Sequence, residues 1–274
     1  PRPILVKFGL IKIEVLRSFL NKKSHFSLKN VLKDINLDEI KNSLHSYKLD
    51  ADNLYSLADA KLFHFKIPYT GPEPKFCITC HLYYSENLRE ILLDLRSISI
   101  PFKIIITIAN EELLKDIINI SNLFELNADI YLVENRGRDI KPFIDLIHLE
   151  VFDKYNAVLK IHGKYSSYSI YGNNWRQNIF NTLMNAQNIK KILSLFNDNR
   201  AGLLCRNDDL FVNPFFWGSN YNEVKNLSTK LGIKINKKGL KFFAGSMFWF
   251  NPKALKDLKN INQNTIRILH HLPL

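Results

Sequence analysis

The chain is poor in cysteine, with only Cys77, Cys80 and Cys205 among 274 residues. Three thiols do not make a disulfide framework, and a reducing compartment is the simplest setting for them. Cys77-Ile78-Thr79-Cys80 has the spacing of a redox motif but falls inside an apolar strand pattern rather than at a helix start, so buried thiols are expected. With no second cysteine pair nearby and no ligand context for His270-His271, a zinc site is not expected. No apolar run approaches the ~20 residues of a spanning helix, which argues against a transmembrane segment. No Walker loop, G-x-S-x-G or G-x-G-x-x-G occurs, and neither an internal repeat nor a low-complexity segment is present. The chain opens Pro-Arg-Pro, so its start says nothing about a preceding signal or anchor.

Acidic residues are also scarce: 26 Asp and Glu face 38 Lys and Arg, a net charge of +12. Such an excess implies anionic partners, whether nucleotide phosphates, an anionic lipid surface or nucleic acid. The basic residues are spread along the chain and are not clustered with aromatics into a recognisable module, so nucleic acid is set aside. The 46% hydrophobic and 23% charged content is that of a soluble globular protein with a sizeable core.

Residues 1–72 read as a basic, helical N-terminal appendage. Apolar and basic residues alternate over 4–19, and Leu28, Val31, Leu32, Ile35, Ile40 and Leu44 fall at helical spacing. Such a segment either caps the main domain or lies on a membrane surface. Tyr69-Thr70-Gly71-Pro72-Glu73-Pro74 is a linker signal, placing the main domain at 73–274. There the pattern alternates: strands over 76–82, 102–108, 129–133 and 157–161, and helices over 87–98, 111–120 and 140–149. Further on, one or two helices are expected over 175–196, a short strand over 202–206, a loop over 208–220, a helix over 221–231, a strand over 242–250 and a helix from Pro252. The fold class is therefore α/β, a mostly parallel sheet flanked by helices on both faces. Ligands of such sheets sit at the carboxyl ends of the strands, which brings Tyr83, Asn135 to Asp139 and His162 to one rim.

Two stretches carry chemistry. Asn135-Arg136-Gly137-Arg138-Asp139 joins a strand to a helix, where free backbone N–H groups and arginine forks suit phosphate oxygens. Lys160-Ile161-His162-Gly163-Lys164 ends the next strand; alternation sends Lys160 and His162 to one side, a plausible anion pocket.

Asn-Arg-Gly-Arg-Asp at 135–139, Leu-Lys-Ile-His-Gly-Lys at 159–164, Trp175-Arg176 and Ala-Gly-Ser-Met-Phe-Trp at 244–249 resemble the rhamnan synthesis protein F family, in order, over about 76–257. The resemblance implies a glycosyltransferase of GT-A-like, Rossmann-like fold that uses a nucleotide-diphosphate sugar, rhamnose being one such sugar. It implies an acceptor that is a bacterial surface polysaccharide or lipopolysaccharide, free or lipid-linked, and a place at the inner face of the cytoplasmic membrane. Many GT-A enzymes end the corresponding strand in Asp-x-Asp, which holds a divalent metal; here Lys160-Ile161-His162 stands there. Basic residues in place of a metal are thus expected to neutralise the leaving diphosphate, and no metal or other cofactor is expected. Lys141 stands where the family commonly has glycine.

Roles follow from the resemblance. Tyr83 would stack on the donor base, or be an ordinary surface or core tyrosine. Asn135, Arg136, Gly137 and Arg138 would meet diphosphate or sugar hydroxyls, and His162 and Lys164 the diphosphate. Asp139 would bind a sugar hydroxyl or pair with the arginines. Trp175, Arg176, Ser246 and Trp249 would line the acceptor side. Inverting transfer needs a carboxylate base, for which Asp208 and Asp209 are candidates. A non-catalytic subunit of glycan assembly that retains the fold is the alternative.

Overall fold

The computed structural model describes residues 54–261 apart from 58–59, 85, 96–97, 136, 164–171, 212–219 and 240. The segment read as helical over 26–49 lies outside the described residues.

An eight-stranded sheet organises the chain, in the order β1-β2-β5-β4-β3-β6-β10-β7. Its centre is four parallel strands: β3 (Phe76–Leu82), β4 (Phe102–Ile108), β5 (Ala128–Leu132) and β6 (Val158–His162). Isoleucine-rich runs with both faces covered are what a buried parallel sheet requires. The sheet as a whole is mixed rather than mostly parallel. β2 (Ala60–Lys66) runs antiparallel to β5 and carries β1 (Leu54–Leu57) outside it. β10 (Phe248–Phe250) enters antiparallel to β6, with β7 (Leu203–Leu204) antiparallel beyond. Residues 54–66, which precede the linker signal at 69–74, thus form the sheet's edge.

Helices cover both faces. Strand alternation sends Ile78, Cys80, Leu82, Ile104, Ile106, Leu159 and Ile161 to one face. They pack there with α1 (Glu86–Leu95), α2 (Glu112–Leu123), α4 (Gly172–Leu183) and α5 (Ala186–Asn197). Cys77, Ile105, Tyr131, Val158 and Phe250 face the other way, against Phe143, Leu146 and Ile147 of α3 (Ile140–His148). Cys77 and Cys80 are buried free thiols on opposite faces, and burial pushes the Cys80 thiol up to about 12. Among the described residues no helix is long and apolar enough to cross a membrane.

The expected strand over 242–250 is broken. Phe242–Phe243 (β9) pairs with Leu210–Phe211 (β8) in a separate ribbon, and a 3-10 turn at Ala244–Ser246 intervenes before β10. Gly245 and Ser246 have φ of 79° and 50°, which no strand accommodates. α6 (Tyr221–Lys230) ends near Gly232 at φ 70°, as read, but Pro252–Asn260 is a 3-10 segment rather than an α-helix.

Trp249 is a core residue. It is fully buried against Phe76, and its indole N–H donates to the Leu183 carbonyl at 3.0 Å. Its expected place on the acceptor side is therefore corrected, because strand alternation turns it onto the helix-rich face opposite Phe248 and Phe250. Replacing Trp249 by Ala is expected to cost about 3–5 kcal/mol in urea unfolding. Trp249→Phe should cost less, mainly through the Leu183 carbonyl left without its donor. An unfolding midpoint unchanged in Trp249→Ala would contradict this placement.

Candidate functional site

Antiparallel entry of β10 is what builds the site. Because Phe248 registers with Lys160, the residues just before β10 lie over the carboxyl end of β6. Lys160 and His162 both point to the α3 face, and each meets a carbonyl of the incoming turn. Lys160 Nζ donates to Ser246 O at 2.9 Å, and His162 Nε2–H donates to Gly245 O at 2.9 Å.

The turn after β5 arrives from the other side. Gly137 and Arg138 have φ of 64° and 54°, the same glycine-then-side-chain pattern as Gly245 and Ser246. Holding a residue with a Cβ in this region costs roughly 1–2 kcal/mol, and such positions gather at functional sites. Asp139 follows and stands at the N-cap of α3, where aspartate ordinarily accepts from the helix's own N–H groups. It makes no such bond. Its Oδ2 instead accepts from Lys160 Nζ at 2.6 Å and from Ser246 Oγ at 2.8 Å. Two left-handed turns are thereby tied together through one carboxylate oxygen.

Lys160 is 2% exposed and Asp139 18%. The ammonium also lies 5.4 Å from the Phe143 ring centre and 5.9 Å from that of Phe248, an aromatic wall that favours a cation. Burial acts against ionisation of Asp139, but the charge of Lys160 outweighs it. With His162 and the hydrogen bonds from Lys160 and Ser246, it holds the carboxyl well below the usual range. Burial acts to lower the Lys160 ammonium and the Asp139 carboxylate opposes it; at 2.6 Å the two form an ion pair.

His81 at the end of β3 registers with His162 and shares a 2.9 Å hydrogen bond with Thr107 Oγ1. Burial lowers its pKa from 6.5 to about 4, and burial likewise lowers His162. Both imidazoles are neutral at pH 7. The inner cluster thus carries one positive and one negative charge and is neutral overall.

The structure brings Asp139, His162, Ser246 and the Gly137-Arg138 turn together. Trp175 joins them at one remove: a Cβ built on Gly245 would lie 3.0 Å from its ring. Its indole N–H donates to Asp209 Oδ1 at 2.7 Å. Asp209 is 2% exposed and also receives both Arg206 Nε and NH2, so it anchors this wall. Asp208 is exposed and lies 3.2 Å from Arg206. Arg176 points to the opposite face, pairing with Glu90 at 3.0 Å over the Phe180 ring. Tyr83 sits at the rim, half exposed and edge-on to Tyr84, and Asn135 is exposed on the same rim. Arg136 and Lys164 lie outside the described residues.

The start of α3 differs from the sequence expectation of free backbone donors. Ile140 and Lys141 N–H both donate to Gly137 O, and Pro142 has no N–H. Lys141 does not extend the basic surface; it is buried and donates to Asp145 Oδ2 at 2.6 Å. Among the described residues no group of three or more His, Cys, Asp or Glu side chains could hold a metal ion. Sequence reasoning gave His81 no part in the site, although its signal was its place at the end of the first strand beside two other strand ends.

The sequence matches the rhamnan synthesis protein F family over residues 10–270. The chain belongs to the rhamnan synthesis protein F family. The family is named for rhamnan synthesis. It is similar to the uncharacterized protein WxcX of two strains of Xanthomonas campestris pv. campestris, at 31% and 30% identity over 189 residues, 68% of this chain in each. The chain spans only 27% of the length of those relatives.

The neutral imidazoles give the fold a defined acid sensitivity. As pH falls through 6.5, histidine in the unfolded chain takes up a proton that folded His81 refuses until about 4. Stability conferred by the neutral state is therefore present above 6.5 and lost between 6.5 and 4. The expected loss from His81 is on the order of 3 kcal/mol at about 1.4 kcal/mol per unit, with His162 adding in the same direction. Denaturation midpoints followed across that window should fall less steeply in His81→Gln. An identical slope would show that His81 is not excluded from protonation in the fold.

Proposed function

We propose that the chain is a glycosyltransferase domain that moves a sugar from a nucleotide-diphosphate donor to a bacterial surface polysaccharide or lipopolysaccharide. The observation that carries this reading is the convergence of two left-handed turns on Asp139, Lys160 and Ser246 at the carboxyl end of parallel strands. That edge is where α/β sheets take their ligands.

The charge arrangement suggests a division of labour. Lys160 is spent on Asp139, so the inner cluster positions and the outer residues bind. Arg138, exposed on its turn, is proposed to contact the diphosphate, with Arg136 and Lys164 joining it. Charge develops on the leaving phosphate oxygen, and fixed cations stabilise it without reorganising. By the family resemblance His162 stands where metal-dependent transferases carry an acid; held to Gly245 O and kept neutral by burial, it leaves the diphosphate to the arginines and Lys164. Asp139 is too acidic to serve as a general base near neutrality. Its proposed part is to accept a bond from a sugar hydroxyl. Tyr83, half exposed at the end of β3, offers a face for the base. A peripheral station at the inner membrane face, with a lipid-linked acceptor, fits the net charge of +12.

One observation favours a second reading, a non-catalytic subunit of glycan assembly. Of the two candidate bases, Asp209 already accepts three hydrogen bonds, and Asp208 is turned to solvent beside Arg206.

A thermal-shift panel of nucleoside diphosphates and nucleotide sugars, with chelator or with manganese, separates these readings. Transfer predicts that one nucleotide class stabilises the protein equally in chelator. It also predicts that Arg138→Ala weakens that binding about tenfold, the loss of one charge-assisted hydrogen bond. Stabilisation that strictly needs manganese would refute the basic diphosphate site. Silence across the whole panel would favour the non-catalytic subunit.

A further inference from the structure

A cavity of about 210 Å³ opens on the α3 face at the opposite end of the sheet from the turns. Lys103 and Asp129 are each the second residue of their strands, β4 and β5, whereas Thr107 lies at the far end of β4. At about 3.3 Å per residue the cavity is roughly 13 Å from the Thr107 level, so it is not part of the proposed donor site. Ile105 and Tyr131 continue its floor, and Leu149, Val151, Lys154 and Tyr155, from the connection between α3 and β6, form the opposite wall.

The polar groups here are of both kinds. Lys103 Nζ donates to Asp129 Oδ1 at 2.8 Å, which leaves two of its three protons. His64 Nε2 lies 3.7 Å from Asp129 Oδ2, and its ring stacks on Tyr131 with centroids 4.4 Å apart. Burial acts to raise the Asp129 carboxyl, but His64 and Lys103 outweigh it and hold it below its ordinary value, so it remains an acceptor. Lys154 Nζ lies 5.2 Å over the Tyr155 ring. Tyr155 itself is 7% exposed, and its hydroxyl is buried with no hydrogen-bond partner.

The chemistry narrows the ligand. A simple anion would face the Asp129 carboxylate, and a simple cation would face Lys103 and Lys154. An apolar fragment would leave the spare lysine protons unmet. A neutral polyhydroxylated ring meets both signs of group: its hydroxyls both donate and accept, and its C–H faces match the partly exposed Leu149 and Val151. The volume suits one ring rather than a drug-sized molecule, whose sites run from about 300 Å³ upward. We propose that this cavity binds a single sugar residue of a glycan chain, holding that chain at the amino edge of the sheet. The proposal stands on the cavity's own groups and does not depend on nucleotide binding at the carboxyl edge.

The test is protein-observed NMR titration with the methyl glycosides of glucose, galactose, mannose and rhamnose, and separately with inorganic phosphate. At least one glycoside should shift the amides of Tyr131 and Tyr155 and leave those of His162 and Gly245 in place. Lys154→Met, at an exposed side chain that lines the cavity, should weaken that glycoside about tenfold, the loss of one charge-assisted hydrogen bond, without lowering the melting temperature. The proposal is overturned if no glycoside binds, if the shifts fall at the carboxyl edge, if Lys154→Met binds undiminished, or if phosphate displaces the sugar. Nucleotide binding in Lys154→Met should equal that of the parent, so failure here and failure of the donor site read out separately.

Discussion

A buried ammonium against a carboxylate, Lys160 and Asp139 at 2.6 Å, is the contact on which the rest of the site depends. Removing either ion from water without the other costs several kcal/mol, so each fixes the other's position. The carboxylate cannot cap α3 while it serves Lys160, and the turn before it must adopt the left-handed region to deliver it. The ammonium in turn needs acceptors at its remaining protons, and one is the Ser246 carbonyl, presented by a second left-handed turn. The strain at Arg138 and Ser246 is thus held in place by a single electrostatic demand.

On the proposed reading, this arrangement separates positioning from binding. Charges inside the cluster cancel, and its histidines are kept neutral by burial, so it offers geometry rather than net field. Arg138 stands outside it, exposed on the turn that Asp139 closes. The opposite edge of the sheet follows the same economy: Lys103 and Asp129 pair on neighbouring strands and leave a mixed polar cavity rather than a charged one. Each edge therefore has a buried ion pair on the α3 face, one beside the strained turns and one beside the unpartnered Tyr155 hydroxyl. Under the proposed function an activated sugar and a growing chain must both be held, and the two edges are proposed to divide those tasks.

Much of the central fold was legible in the sequence because its signals are local. The strands over 76–82 and 102–108 coincide with β3 and β4, since continuous apolar runs bounded by Pro, Asn and Ser leave little choice of register. Leu88, Ile91, Leu92 and Leu95 all reach the core, as helical spacing requires. What the sequence did not disclose is what long-range pairing creates. β10 is three residues long, and nothing local says that it runs against β6 or that its approach carries two carbonyls to Lys160 and His162. Asp139 was expected beside arginines three residues away at most, yet the cation found against it is twenty-one residues on. Trp249 belonged to a stretch with site-like neighbours, and only the strand's facing shows that Ser246 and Trp249 part company. The edge strands over 54–66 were missed because a hairpin added to a sheet shows no helical or domain-scale periodicity.

The measurement that tests this account most directly is a double-mutant cycle on Lys160→Met and Asp139→Asn, read by denaturant unfolding. Each single variant strands a buried partner and is predicted to cost about 3–5 kcal/mol, whereas the double variant should cost well under the sum, with a coupling of at least about 2 kcal/mol. Costs that add to within about 0.5 kcal/mol would mean that the two residues do not support one another, and the lock between the two turns would have to be abandoned.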